Sequence, residues 1–219
     1  MKFIPILGLI TIVLAQWPPI CPDNFLGAKG ELGKRQLECL IMVTSYRYNG
    51  TGCPPNSVSY SISDDGSILT ASYQNFNVTI GPDVDIIQNR KQCDATVGLR
   101  YPGGYDYTIT SVNYHGYAEL ARGVTGVQRS RIFLKDDTQL EAIMNLVGPF
   151  EGDFVFHDEI IQIKPLPCRS STKSLRFQEQ WRLTTTERKN RGGIHVDSLD
   201  GYFSVKYRLK WYKCSDHDD

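Results

Sequence analysis

The strongest constraint on the fold is a strict alternation of apolar and polar residues near the end of the chain. In the segment YFSVKYRLKW, the side chains of one parity are apolar or aromatic: Phe203, Val205, Tyr207, Leu209 and Trp211. Those of the other parity are polar or charged: Ser204, Lys206, Arg208 and Lys210. Because successive side chains of a strand point to opposite faces of a sheet, this pattern predicts a strand with one buried face.

Similar patterns recur along the chain. VSYSIS is followed by the turn residues DDGS and then by ILTASY, an order typical of a β-hairpin. DYTITSVNYHGYAEL, GVQRSRIFL and DFVFH are also rich in β-branched and aromatic residues. Only DTQLEAIMNL, residues 137–146, is interpreted as a short helix. Many short strands separated by Gly, Pro, Asn and Asp predict an all-β fold, an antiparallel β-sandwich or jelly roll.

The start of the chain indicates export. Residues 1–15, MKFIPILGLITIVLA, carry one lysine, an apolar run and a V-L-A ending, which predicts a signal peptide cleaved after Ala15. The run is too short to span a bilayer and no second one follows, so no membrane span is predicted. Residues 16–39 lack periodicity and are interpreted as an N-terminal arm, in which the dibasic pair at 34–35 is either a processing site or an uncut exposed loop. We expect the β-sandwich domain over 40–214 and an acidic tail at 215–219.

The cysteines agree with an extracellular chain. An even number in an exported protein predicts three disulfides, for which six cysteines allow 15 connectivities. The six are Cys21, Cys39, Cys53, Cys93, Cys168 and Cys214. None of them has the spacing of a zinc site. NGT at Asn49 and NVT at Asn77 are acceptor sequences for N-glycosylation, which predicts that both asparagines are exposed.

The charge balance argues against one class of partner. The chain has 24 basic and 24 acidic residues, so its formal net charge is zero. A nucleic-acid partner would need a concentrated basic face, and the sequence indicates none.

The segment GPFEGDFVFHDE, residues 148–159, ends in three groups that can do chemistry. If its phenylalanines face inward, Asp158 shares their parity, whereas His157 and Glu159 lie side by side on the other face, about 6–7 Å apart at Cα. This pair is a candidate for catalysis, and His157, Asp158 and Glu159 are candidates for a metal or a structural cation. Spacing alone places no third ligand and no defined pair of carboxylates. The favoured alternative is a structural role for all three.

A further catalytic candidate is Glu179, which has the apolar parity of the strand LRFQEQWRL. A buried carboxyl needs a partner or a raised pKa, and perturbed carboxyls are found at functional sites. The favoured alternative is a strand end, a bulge or a salt bridge to an arginine. The chain contains no G-x-S-x-G, H-E-x-x-H or Gly-rich phosphate motif, so neither an enzymatic activity nor a cofactor is predicted.

Tyrosines crowd into YPGGYDYTITSVNYHGY, and alternation cannot send all of them inward. Exposed tyrosines on a sandwich can stack on sugar rings or anchor a protein interface. The candidates for ligand binding are Tyr101, Tyr105, Tyr114 and Tyr117. The alternative is that they are core or rim residues.

The order of motifs carries a resemblance. GTGCPPNSVSYSISDDGSILTASYQNFNVTIGP, RKQCDATVGLRYPGGYDYTITSVNYHGYAEL, GVTGVQ, GPFEGDFVFHDE, DSLDG and LKWYKC follow one another along the chain. From about Thr44 to Cys214 they resemble a family of small secreted proteins, abundant in filamentous fungi, that carries only a domain-of-unknown-function label. The resemblance implies a secreted β-sandwich with two disulfides and no assigned reaction.

The resemblance also implies which cysteines pair. The expected bridges are Cys53–Cys93 and Cys168–Cys214, and the two arm cysteines outside the family pattern, Cys21 and Cys39, are then expected to pair with each other.

The expected function is that of a secreted, non-enzymatic interaction protein. It would be either a fungal effector of the virulence type, in the host apoplast, or a cell-wall-associated protein, and its partner a cell-wall polysaccharide or a host protein. Two alternatives stay open. One is a carbohydrate-binding protein, and the other is an unrecognised secreted hydrolase that uses His157, Glu159 or Glu179.

Overall fold

The computed structural model describes residues 41–134, 139–160, 174–195 and 203–214. In chain order the strands are β1 (Met42–Asn49), β2 (Val58–Ile62), β3 (Ile68–Tyr73), β4 (Val78–Ile80), β5 (Arg90–Arg100), β6 (Tyr105–Leu120), β7 (Val124–Phe133), β8 (Gln139–Val147), β9 (Phe150–Glu159), β10 (Ser174–Thr185), β11 (Gly192–His195) and β12 (Phe203–Lys213). A short 3-10 helix, Ile86–Asn89, precedes β5. Within these ranges no helix is long and apolar enough to cross a membrane.

The strands form two antiparallel sheets. Sheet A has five strands in the order β1-β5-β10-β7-β8. Sheet B has seven, in the order β2-β3-β12-β6-β11-β4, with β9 paired to β6 as well. The long strand β6 pairs along one side with β12 and then with β11, and along the other side with β9.

Aromatic side chains from both sheets meet in the core. The ring of Phe177 on β10 stacks on Tyr207 of β12, with 4.3 Å between centroids. Trp181, also on β10, contacts Phe154 of β9 at 5.8 Å and Phe203 of β12 at 6.1 Å. The two sheets therefore pack face to face, which confirms the predicted antiparallel β-sandwich, while the jelly-roll form stays a prediction.

The alternation in β12 is confirmed. Phe203, Val205 and Tyr207 are fully buried, and the charged residues between and after them are exposed. The strand pairs with β3 on one side and β6 on the other. A central strand with one face toward the core requires this period of two.

The predicted hairpin is also present as β2 and β3. In its turn the Asp65 carboxylate accepts hydrogen bonds from the hydroxyls of Ser63 at 2.6 Å and Ser67 at 2.8 Å. These bonds, that of Ser63 first, lower the pKa of Asp65 to about 2. Gly66 follows with φ of 67°, a left-handed conformation that favours glycine.

The helix predicted over residues 137–146 is wrong. Residues 139–147 form β8, in which Leu140, Ala142 and Met144 are buried and the residues between them are exposed. The segment is rich in good helix formers, but pairing with β7 and burial of every second side chain outweigh a propensity of a few tenths of a kcal/mol per residue.

One predicted disulfide lies within the described residues. Cys53 and Cys93 are bonded, with 5.5 Å between their Cα atoms, which confirms that pairing. Cys214 takes part in a disulfide, but its predicted partner Cys168 lies outside the described residues. The predicted bridge between the two arm cysteines lies outside them as well.

Removing the Cys53–Cys93 bridge should destabilise the fold strongly. The bridge spans 40 residues and both cysteines are buried. A loop of that length constrains the unfolded chain, so the C53S/C93S variant should lose about 2–4 kcal/mol of unfolding free energy. Urea denaturation of the two proteins measures the loss, and an unchanged midpoint and slope would contradict it.

Candidate functional site

Glu179 lies in the middle of sheet A and points into the sandwich. It is on β10, opposite Cys93 of β5 and Ser130 of β7, in a register without interruption. Its side chain is fully buried. The expectation of a strand end or a bulge is therefore wrong, because pairing on both sides continues past this residue.

The hydrogen-bond partners of the Glu179 carboxyl come from two other strands, β7 and β12. Its Oε2 accepts hydrogen bonds from Gln128 Nε2 at 2.6 Å and from the Ser130 hydroxyl at 2.5 Å. The Tyr207 hydroxyl donates to its Oε1. Behind them, the Tyr114 hydroxyl donates to Ser130 Oγ at 2.9 Å. The expected salt bridge to an arginine is wrong, since the side chains bonded to Glu179 are neutral hydroxyls and an amide. We call these five side chains the Glu179 network.

Burial dominates the protonation of this carboxyl. Removal from water raises the pKa of Glu179 to about 8, and the hydrogen bonds from Ser130, Tyr207 and Gln128 offset only part of that rise. Burial likewise raises the pKa of Tyr207 well above its usual value, and the adjacent Glu179 adds to the effect. At neutral pH the carboxyl therefore mainly carries its proton, and one of the contacts is then donated by Glu179 itself.

The Glu179 side chain has no solvent-accessible surface in the described part of the chain. Two surface clefts, of about 700 and about 520 Å³, are lined by residues that do not include Glu179. A general acid must reach the proton acceptor on a substrate within hydrogen-bond distance. From its place on β10 the carboxyl bonds to β7 and β12, and it therefore links these three strands.

His157 and Glu159 share the exposed face of β9, as predicted. His157 Nδ1 lies 2.6 Å from Asn113 Oδ1 on β6, and its Nε2 lies 3.8 Å from Glu159 Oε1. Both side chains are open to solvent. The contact with the neighbouring strand gives His157 a structural partner, and Glu159 extends into water.

Asp158 points to the opposite side of β9. Its Oδ2 accepts a hydrogen bond of 3.1 Å from the backbone N–H of Ile143 on β8 and so joins an edge of sheet B to an edge of sheet A. Asp158 and His157 therefore cannot hold the same ion. Across the ranges that the structure describes, no group of three His, Cys, Asp or Glu side chains is arranged to hold a metal.

The tyrosine candidates divide into two kinds. Tyr114 is fully buried, and Tyr101 is buried against Tyr107 and Trp211 at 5.6 and 5.2 Å. A buried ring cannot offer its face to a sugar. Tyr105 and Tyr117 are half-buried. Only these two keep the geometry of a ligand-binding residue.

A surface cleft lies where β4, β6, β9 and β11 meet. Its volume is about 700 Å³, and its lining includes Glu119 and Glu151, which are directly opposite each other on β6 and β9. Arg191 also lines it and pairs with Asp83 at 2.7 Å. The apolar part of the wall includes Phe150. Sequence reasoning missed this cleft because its residues come from distant parts of the chain.

A second surface is the outer side of sheet A. Strand alternation and register place seven arginines there: Arg47, Arg90, Arg100, Arg129, Arg131, Arg176 and Arg182. We call this surface the arginine face. The inference that the chain has no concentrated basic face is wrong for this side, because the arginines are scattered in the sequence and only strand pairing collects them.

The two packed sheets and the bridge between Cys53 and Cys93 define a disulfide-bonded β-sandwich protein. Residues 40–214 match the family described as "Domain of unknown function (DUF4360)". The chain is also 36% identical over 197 residues to an uncharacterized secreted protein of Arthroderma benhamiae. The match covers 89% of this chain and 78% of that protein. The chain belongs to this DUF4360 family, which confirms the resemblance seen in its motifs, and the secreted relative and the disulfide confirm its extracellular location.

Solved structures give a much weaker likeness. TmCBM61, solved in complex with beta-1,4-galactotriose, is 7% identical with a TM-score of 0.29, over 78% of this chain and 89% of that one. A CBM4 structure is 12% identical with a TM-score of 0.23, over 77% of this chain and 86% of that one. Similarity at this level carries no inference about what the present chain binds.

Proposed function

We propose that this protein is a secreted binding protein without catalytic activity, whose partner is a cell-wall polysaccharide or a host protein. The observation that carries the proposal is the position of Glu179. Its raised pKa would suit a general acid, yet the carboxyl is fully buried and bonded to Gln128, Ser130 and Tyr207. The Glu179 carboxyl, the strongest catalytic candidate in the sequence, thus bonds within the core.

The remaining catalytic candidates support the same proposal. His157 is bonded to Asn113, and Asp158 is bonded to a backbone amide of another strand. Both contacts are of the kind that positions strands. The surfaces that a partner could contact include the cleft beside β9 and the arginine face.

The proposed place of action is the wall of the producing cell or the apoplast of a host. A buried disulfide suits a protein that works outside the cell. Asn49 and Asn77 are both exposed, as their proposed glycosylation requires. An effector of the virulence type and a wall component are the two roles that we propose for a protein of this kind.

A carbohydrate-binding protein is the second candidate. The observation that favours it is the cleft of about 700 Å³, which combines the carboxylates of Glu119 and Glu151 with the apolar ring of Phe150. Sugar sites commonly combine hydrogen-bonding groups with an apolar surface.

One experiment tests the proposal against the enzyme alternative. The purified, oxidised protein is incubated with insoluble chitin, β-glucan or cellulose, and both retained protein and released sugar are measured. We expect no release of sugar. Retention without release supports the carbohydrate-binding candidate, and no retention directs the search to a protein partner.

Release of sugar would overturn the proposal if it depends on the candidate residues. The variants H157A, E159A and E179Q are therefore assayed beside the parent protein. E179Q keeps the shape of the buried side chain, so a loss of activity in that variant would reflect chemistry rather than unfolding.

A further inference from the structure

The arginine face is strongly cationic although the chain as a whole is neutral. Among the residues described on this side of sheet A there are seven guanidinium groups and only two carboxylates. The carboxylates are those of Asp94 on β5 and Glu141 on β8. The formal charge of the whole chain is zero. The charge is therefore unevenly distributed, with an excess of positive groups on one flat surface.

The arginines are spread over that surface. Arg47 and Arg176 flank Thr96 in one row across β1, β5 and β10, which places their Cα atoms about 10 Å apart. Arg176 and Arg182 lie six residues apart on β10, about 20 Å along the strand. The face thus offers guanidinium groups at several positions across a flat area about 20 Å on each side.

A lateral network holds the centre of the face in place. Asp94 accepts hydrogen bonds from Gln178 at 2.9 Å and from Gln92 at 2.7 Å. Arg131 donates to Gln178 Oε1 at 3.0 Å and to Glu141 at 3.0 Å. These bonds cross β5, β10, β7 and β8, so the central side chains are already positioned before any partner arrives.

The outer arginines are free to bind. Arg47, Arg100 and Arg182 are exposed, and within the described part of the chain they have no hydrogen bond or ion pair through their side chains. A free guanidinium is a planar fork of donors that matches a carboxylate or a sulfate with two parallel hydrogen bonds. The surface therefore combines fixed central groups with unpaired cations around them.

We infer that the arginine face binds a linear polyanionic polysaccharide bearing carboxylate or sulfate groups, an inference that rests on the proposed function as a secreted binding protein. Repeated anionic groups along an extended chain match cations spread across the strands of sheet A. The amides of Gln92, Gln178 and Gln180 lie between the arginines and can exchange hydrogen bonds with sugar hydroxyls.

Two other classes of anion fit the surface less well. A lipid surface is usually bound through basic groups combined with apolar side chains that enter the headgroup region. Here the exposed apolar residues that the register places on the face, Met42, Ile143 and Val147, lie on the two edge strands β1 and β8 rather than among the central arginines. Ile86 and Ile87 are also exposed, but they lie in the 3-10 helix beside Arg90, at one end of the face. A nucleic acid is not what an exported protein ordinarily meets.

The test compares binding to polygalacturonate, which carries carboxylates, to dextran sulfate, which carries sulfates, and to neutral dextran. N-linked glycans are removed first, because Asn49 lies on the same face at the end of β1. We expect at least one of the two polyanions to bind and neutral dextran not to bind. Added salt should weaken the binding. The R47Q/R100Q/R182Q variant should bind about tenfold more weakly.

A matched control separates this face from overall charge. R122Q/R188Q/R208Q removes the same number of positive charges from exposed positions outside the arginine face. It should weaken binding clearly less than R47Q/R100Q/R182Q does, because none of its three charges lies on the outer side of sheet A. Neither triple variant removes a side-chain hydrogen bond of the described residues, so both should fold.

Three results would overturn the inference. They are no binding to either polyanion at low salt, an equal loss in both triple variants, and binding to vesicles containing phosphatidylserine with none to the polyanions. None of these three results contradicts the proposed function. That proposal is contradicted by a different result, the cleavage of wall polysaccharide.

Discussion

Replacing Glu179 with alanine should lower the free energy of unfolding by about 3–5 kcal/mol. The change leaves the Tyr207 hydroxyl, the Gln128 amide and the Ser130 hydroxyl without the hydrogen-bond partner that they share. It also opens a cavity in a core where both sheets are closely packed. Urea denaturation at pH 5 measures the loss, and an E179A protein as stable as the parent would contradict it.

The conservative variant E179Q is the control for this prediction. Glutamine keeps the volume and one acceptor oxygen for Tyr207. Gln128 Oε1 has no hydrogen-bond partner in the described structure, so the Gln128 amide can rotate to accept from the new side chain. We therefore expect E179Q to lose only about 1 kcal/mol. If E179A fails to fold, a loss in E179Q as large as several kcal/mol would still contradict this account.

The stability of the protein should fall as the pH rises from about 4.5 to about 8. The pKa of Glu179 is raised from 4.5 to about 8 in the folded state. Below the lower value both states hold the proton, and the contribution is fully present. Between the two values the carboxyl of the unfolded chain ionises while that of the folded chain keeps its proton. Each further rise in pH therefore lowers the free energy of unfolding. The total loss is at most about 5 kcal/mol and is complete above the folded pKa.

Denaturation at constant ionic strength, from below pH 4 up to about pH 9, measures this dependence. E179Q has no proton to lose, so its stability should be flatter over the same range. Asp65 acts at the opposite end, because its pKa is lowered to about 2 and its contribution is lost only as the pH falls below about 4. Parent and variant should share that acid limb. A parent protein that gains stability between pH 5 and pH 8 relative to E179Q would refute the assignment.

Local patterns in the sequence were enough to predict much of the fold. The period of two in β12 and the turn residues between β2 and β3 each describe a strand or hairpin by themselves, since the information lies within a few consecutive residues. β8 shows the limit of this reasoning. Its residues favour a helix locally, and only pairing with β7 makes them a strand.

The candidate site was predictable in part. Parity marked Glu179 as an inward carboxyl, and the structure agrees. Its partners could not be predicted from the sequence, because Gln128 and Ser130 precede it by about fifty residues and Tyr207 lies on another strand. The same parity placed His157 and Asp158 on opposite faces, but only pairing with β6 and contact with β8 showed what each one bonds.

The sequence alone therefore determined the period of strands such as β12, the compartment and the family, because these depend on neighbouring residues or on motif order. The tertiary structure decided which strands lie side by side. That choice encloses Glu179 among neutral donors and brings arginines as distant as Arg47 and Arg182 onto one surface. Alternation assigns each side chain to a face, whereas strand pairing over long separations decides which side chains share it.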